Sequence, residues 1–221
     1  MLEFVLYMVF SVLETYAMFY LAFKIFKIDF YFKEMIFAGS IMAFFSYVIR
    51  VDYHRVEADI IIQYLLIFFF FWMLFRIHWF YAAILTGMTY QAYICVQLVY
   101  ILLFDQIGFF SAHAFYGIDI STHLLQISSS VTAIGIGYYI GHKRKGFDFI
   151  PDKPNGLIKI TIREKILFIL NLPTAAIVIS IINLFNTKYF LVVILVYIML
   201  LFGYIYLAYR KDRSENEYIQ L

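Results

Sequence analysis

The alternation of apolar and polar positions divides the chain into seven long apolar segments joined by shorter polar ones. A membrane-spanning helix needs about 20 mostly apolar residues, within a usual range of about 17–25. The segments cover residues 4–23, 35–49, 58–75, 79–104, 118–140, 166–185 and 189–209. The second reaches spanning length by recruiting Phe32 and Val51, and the fifth is the least apolar. Residues 157–163 alternate with period two and read as a short strand or an interfacial segment. The predicted fold is all-α: a polytopic integral membrane bundle of seven transmembrane helices. It occupies residues 1–209, with a basic loop at 141–165 and a polar tail at 210–221 that is expected to fray.

Composition agrees with the pattern. The chain is 64% hydrophobic and 14% charged, against about 45–50% and about 25% in soluble domains. The longest polar stretch is too short for a core of its own, so no soluble catalytic domain is expected. The N-terminus lacks a basic leader region and carries Glu3, so the first segment is expected to remain as a membrane helix. Low Ala with abundant Ile, Phe, Tyr and Lys is a composition associated with AT-rich bacterial genomes.

The charges then orient the bundle. Lys24, Lys27 and Lys33 follow the first segment, Arg76 the third, and seven basic residues the fifth. Arg210, Lys211 and Arg213 follow the seventh. Only Arg50, Arg55 and Lys188 fall in the alternate connections. Basic connections stay in the cytoplasm, which predicts an outside N-terminus and an inside C-terminus in the cell membrane. Lys143, Arg144, Lys145, Arg210 and Lys211 are expected at anionic lipid headgroups, each worth about 1 kcal/mol, or at a cytoplasmic partner. Nothing points to nucleic acid.

Polar side chains within apolar segments must find partners or water. Glu14, at the middle of the first segment, reads as the one ionisable group deep in any span. With Gln63, Gln91, Gln97, His123, Gln126 and Asn183 it falls at or outside mid-depth. The set predicts a polar cavity open to the outside; ordinary interhelical hydrogen bonding is the alternative. His123 lacks a His, Cys or acidic partner at i+3 or i+4, so no metal is expected, and no cofactor motif is present. Cys95 reads as a small buried residue. Gly135, Gly137 and Gly141 read as a helix-packing face, within the chain or across a homodimer. Pro173, beside Asn171 and Thr174, is expected to kink the sixth helix.

No zinc-protease, nucleophile-elbow or P-loop signature occurs, and the last segment has no deep lysine for a retinal. In hydropathy, aromatic-rich helices and the helix exit at Tyr209, Arg210 and Lys211, the chain resembles the membrane sensor domains of agr-type, peptide-sensing bacterial histidine kinases. That resemblance implies a sensory or regulatory module. Since the sequence ends at Leu221 without a kinase part, signalling is expected to pass through a partner protein. A substrate-binding membrane subunit of a transporter, or an accessory subunit of a membrane complex, are the alternatives.

Overall fold

The computed structural model describes residues 2–108, 119–148, 150, 160–171, 173–185 and 187–219. These form eight helices: α1 (Leu2–Ile25), α2 (Phe32–Ser46), α3 (Val56–Phe69), α4 (Trp79–Gln106), α5 (Ile120–His142), α6 (Ile162–Asn171), α7 (Thr174–Asn183) and α8 (Phe190–Ile219). Single π-helical turns extend α2 over Tyr47–Asp52 and α3 over Phe70–Leu74. No strand occurs among the described residues. Among the described residues, six stretches are long and apolar enough to cross a bilayer: Leu2–Ile25, Phe32–Asp52, Val56–Leu74, Trp79–Gln106, Glu164–Asn183 and Phe190–Arg213. They support a multi-pass membrane protein. The exception is α5, which has the length but carries His123, Gln126 and three consecutive serines.

Contacts between helix ends give the packing directions. Tyr7 of α1 bonds Ser46 at the far end of α2, while Phe23 of α1 packs on Phe30, which precedes α2; the two helices run antiparallel. Gly137 of α5 lies against Tyr20 and Leu21 of α1, and Gly141 against Lys24, so α1 and α5 run parallel. A Cβ at Gly137 would come within 2.9 Å of the Tyr20 ring, so glycine permits this close approach. Gly135 faces open space and takes no part in that contact. At the same end, the rings of Phe19, Phe23, Phe71 and Phe75 meet at 4.9–6.3 Å, several edge to face. That geometry adds about 0.5–1.5 kcal/mol per pair beyond area burial.

Three expectations are corrected, and the α8 backbone is helical beyond Tyr209 as far as Ile219. The alternating stretch at 157–163 lies largely outside the described residues, and its described end is not a strand. Thr161 and Glu164 form a capping box there, with Thr161 N donating to Glu164 Oε2 at 2.6 Å and Glu164 N donating to Thr161 Oγ1 at 3.4 Å. This reciprocal pairing satisfies free donors at the start of α6. Arg50 is not a loop charge, because it lies on the helical turn after α2 and turns inward to pair with Asp59 of α3. Finally, Lys211 is only 4% exposed rather than spread among headgroups.

At the expected kink, Pro173 stands between α6, which ends at Asn171, and α7, which begins at Thr174. Proline supplies no N–H to the preceding turn. Asn171 occupies the break: its Nδ2 donates to Ala83 O at 2.7 Å, and its Oδ1 accepts from Tyr204 OH at 2.7 Å. Its main-chain carbonyl accepts from Tyr64 OH at 3.3 Å. Gly87 of α4 stands where any Cβ would overlap the Asn171 carboxamide.

Candidate functional site

A cavity of about 150 Å³ lies inside the bundle. Its walls come from the first half of α1, the end of α2 with its π turn, the start of α3, the second half of α4, the start of α5, and α7. Helical periodicity delivers the lining: Tyr7, Ser11, Glu14, Thr15 and Met18 recur every three or four residues on one stripe of α1. On α3 the stripe is Asp59, Ile60, Gln63 and Ile67, and on α4 it is Tyr90, Tyr93, Ile94, Gln97, Leu98 and Ile101.

Two polar groups face this space. In the first, Glu14 Oε1 accepts from Gln97 Nε2 at 2.5 Å and Oε2 accepts from Gln126 Nε2 at 3.0 Å. Gln126 Nε2 also lies 3.4 Å from Ser11 Oγ. His123 orients Gln126 from behind, its Nδ1 3.3 Å from Oε1, while the imidazole packs on the Phe10 ring at 4.8 Å. The Tyr93 hydroxyl, which meets Ser129 Oγ at 2.9 Å, also stands against Glu14. Every polar neighbour presents a donor to Glu14, the arrangement that suits an acceptor-only carboxylate.

The second group is an ion pair. Asp59 has no solvent exposure, and its Oδ2 accepts from Arg50 Nη2 at 2.6 Å and Nε at 3.0 Å. Ser46 Oγ donates to the same oxygen at 3.1 Å, and Gln63 Nε2 donates to Oδ1 at 3.3 Å. Gln63 also donates to Met42 O at 2.9 Å. The π-helical turn at Tyr47–Asp52 carries Arg50; such turns occur mostly as local bulges, often at functional sites. Arg50 and Asp59 both exert electrostatic influence on Glu14, so the two groups share one field.

The expected residues therefore divide. Glu14, Gln63, Gln97 and Gln126 line the cavity, and His123 supports it from one side. Gln91 is fully buried on α4 but does not line the cavity, and its amide finds no hydrogen-bond partner among the described residues. Asn183 is exposed at the end of α7 and lies outside the site. Among the described residues no group of three His, Cys, Asp or Glu side chains could hold a metal.

A second ionic cluster sits at the opposite end of the bundle. Glu164 accepts from Tyr81 OH at 2.7 Å and lies 3.4 Å from Lys211 Nζ, with both charged side chains at most 5% exposed. Lys143, Arg144 and Lys145 are exposed beyond it, and Arg210 lies over the Tyr206 ring at 5.6 Å. Sequence reasoning passed over both clusters. The signals present were the Thr161–Glu164 capping box and the spacing of Ser46 to Arg50, which continues the buried stripe of α2. No protein-family model, curated protein or solved structure matches the chain.

Proposed function

We propose that the chain is a seven-span protein of the bacterial cytoplasmic membrane, with its N-terminus outside, whose outward cavity receives a small ligand and reports occupancy to a partner protein. The observation that carries this reading is the cavity itself: a carboxylate held by two amides beside a buried ion pair, at membrane depth. Ionisable groups in spans are costly and mark functional paths or sites. The cavity lies in the half of the bundle that contains the start of α1, away from Lys24, Arg76, Lys143 and Lys211. The basic end belongs to the cytoplasm by charge, and the cavity then belongs to the outer half. α5 counts as the seventh span because it packs along α1 in parallel and closes the cavity with Gln126.

Occupancy shifts a helix arrangement only through differential affinity for its states. The break between α6 and α7 supplies a joint between the cavity wall and the Glu164–Lys211 cluster. The same break favours a second reading, a transporter subunit, because discontinuous helices flank substrate sites in many carriers.

The test uses a Cys95→Ala background carrying Ser11→Cys. A membrane-impermeant maleimide should label this thiol from the outer face alone, and tags on the two termini should map to opposite faces. Ligand screening by thermal stabilisation should then give a hit that Glu14→Gln and His123→Ala weaken. Labelling from the cytoplasmic face, both tags on one face, or a ligand indifferent to both substitutions refutes the reading. Co-purification with a kinase or regulator favours sensing, and co-purification with an ATPase favours transport.

A further inference from the structure

The ionisable side chains around the cavity are two carboxyl groups and one guanidinium. α1 contributes Glu14, the π turn after α2 contributes Arg50, and α3 contributes Asp59. The wall residues from α4, α5 and α7 include no Asp, Glu, Lys or Arg; their titratable groups are Tyr90 and Tyr93, with His123 behind Gln126. Both Arg50 nitrogens that bond Asp59 converge on one oxygen, so that pair is locally neutral. With Glu14 ionised, one negative charge remains without a cation. Gln97, Gln126 and the Tyr93 hydroxyl solvate it with dipoles alone. A carboxylate offers about four lone-pair sites, so these three donors leave about one acceptor site toward the cavity.

Tyr7, Ser11, Thr15, Ser46, Gln63 and Thr122 add hydroxyl and amide groups to the wall, and the remainder is apolar. Met18, Ile67, Ile94, Leu98, Val178 and Ile181 face the same space. A cavity of about 150 Å³ accommodates a molecule the size of benzene. The site therefore combines a carboxyl group with no bonded cation, hydroxyls and amides nearby, and an aliphatic patch. Inorganic cations would leave that wall uncovered, and an anion would meet the unpaired Glu14.

We infer that the cavity binds a small organic monocation, a primary ammonium on an apolar body of about five or six heavy atoms in all, with Glu14 as its counter-ion. The inference rests on the cavity being a ligand site and adds the charge class of the ligand. Ser11 Oγ supplies an acceptor beside the carboxylate, and the apolar body lies against α4 and α7.

The test compares three probes of one shape on the purified full chain in nanodiscs: n-butylammonium, 1-butanol and butyrate. Calorimetry and thermal unfolding supply the readouts. n-Butylammonium should bind at least about tenfold more tightly than 1-butanol, a difference of about 1.4 kcal/mol, and butyrate should not bind. Glu14→Gln should erase the preference for the amine over the alcohol. Gln97→Lys, which places a tethered ammonium against Glu14, should abolish amine binding and keep the fold if Glu14→Gln does not. Ser180→Ala, outside the cavity wall, should bind like the parent chain. Amine binding that survives both Glu14→Gln and Gln97→Lys overturns the inference, as does equal or tighter binding of butyrate. Binding of butanol or butyrate without amine preference would spare the cavity as a ligand site and remove only the charge class. Absence of binding by all three probes, with Ser11→Cys still labelled from outside, also defeats the cationic assignment alone.

Discussion

Replacing Asp59 with leucine removes the only carboxylate bonded to Arg50 among the described residues and leaves its guanidinium inside the bundle. Breaking a buried pair from one side costs about 3–5 kcal/mol, because the remaining charge is stranded. Arg50 keeps 25% side-chain exposure, so the lower end, about 3 kcal/mol, applies. Ser46 and Gln63 lose an acceptor as well. For a chain of 150–250 residues, 1 kcal/mol moves a thermal midpoint by about 2–4 °C, which gives a drop of about 6–12 °C. Unfolding in nanodiscs, followed by tryptophan fluorescence, measures it. Arg50→Met combined with Asp59→Leu should regain at least half of the loss, since an apolar pair of similar volume is often neutral. A midpoint within 2 °C of the parent for Asp59→Leu, or a double variant as unstable as the sum of the singles, would refute a coupled buried pair.

Other outcomes follow from single contacts. Gly137→Leu should destabilise by about 1–3 kcal/mol through overpacking against Tyr20, whereas Gly135→Ala, facing open space, should be neutral or gain up to about 1 kcal/mol; parallel thermal melts test the contrast. Lys211→Met should remove the cation beside Glu164 and raise hydrogen exchange across α6 more than across α1; equal exchange in the two helices would contradict it. Gly87→Ala should displace the Asn171 carboxamide and break bonds to Ala83 O and Tyr204, each worth about 1–3 kcal/mol when its partner stays buried. That loss exceeds the roughly 1 kcal/mol of helix propensity gained, so a stabilised Gly87→Ala would contradict the packing at the break.

Much of the helical skeleton was legible because an apolar run of spanning length has few other uses. The second segment recruited Phe32 and Val51 as expected, and α4 begins at Trp79. Glu14, Gln63, Gln97 and Gln126 were legible as one set because they lie at similar depth in four different segments, and the structure places all four on the cavity wall. Arg50 and Asp59 were not, since charges near the end of an apolar run look like loop charges on a hydropathy average. What identifies them is phase: Ser46 to Arg50, and Asp59 to Gln63 to Ile67, continue buried stripes in steps of four. Gln91 failed for the opposite reason. Its depth was right, but its phase on α4 differs from that of Tyr90, Ile94 and Gln97.

The same phase argument explains the other end of the molecule. On α8, Tyr197, Tyr204 and Lys211 are spaced by seven residues and are each at most 4% exposed. On α6, Glu164 and Asn171 have the same spacing, and they are the partners of Lys211 and Tyr204. A seven-residue step keeps side chains on one helix face, so α6 and α8 meet along a polar seam rather than an apolar one. In lipid, apolar side chains gain little by leaving the bilayer for a neighbouring helix, whereas an unmet polar group is penalised. The seam therefore fixes which face of α8 turns inward. Asn171 completes the logic: at the Pro173 break its backbone carbonyl needs Tyr64, its carboxamide needs Tyr204 and Ala83, and its volume requires Gly87. Tyr64 in turn meets the ring of Tyr90 at 5.4 Å, edge to face, and Tyr90 lines the cavity. Tyr90, Tyr64, Asn171 and Tyr204 thus form one chain of contacts from the cavity wall, through the break, to the helix that carries Lys211.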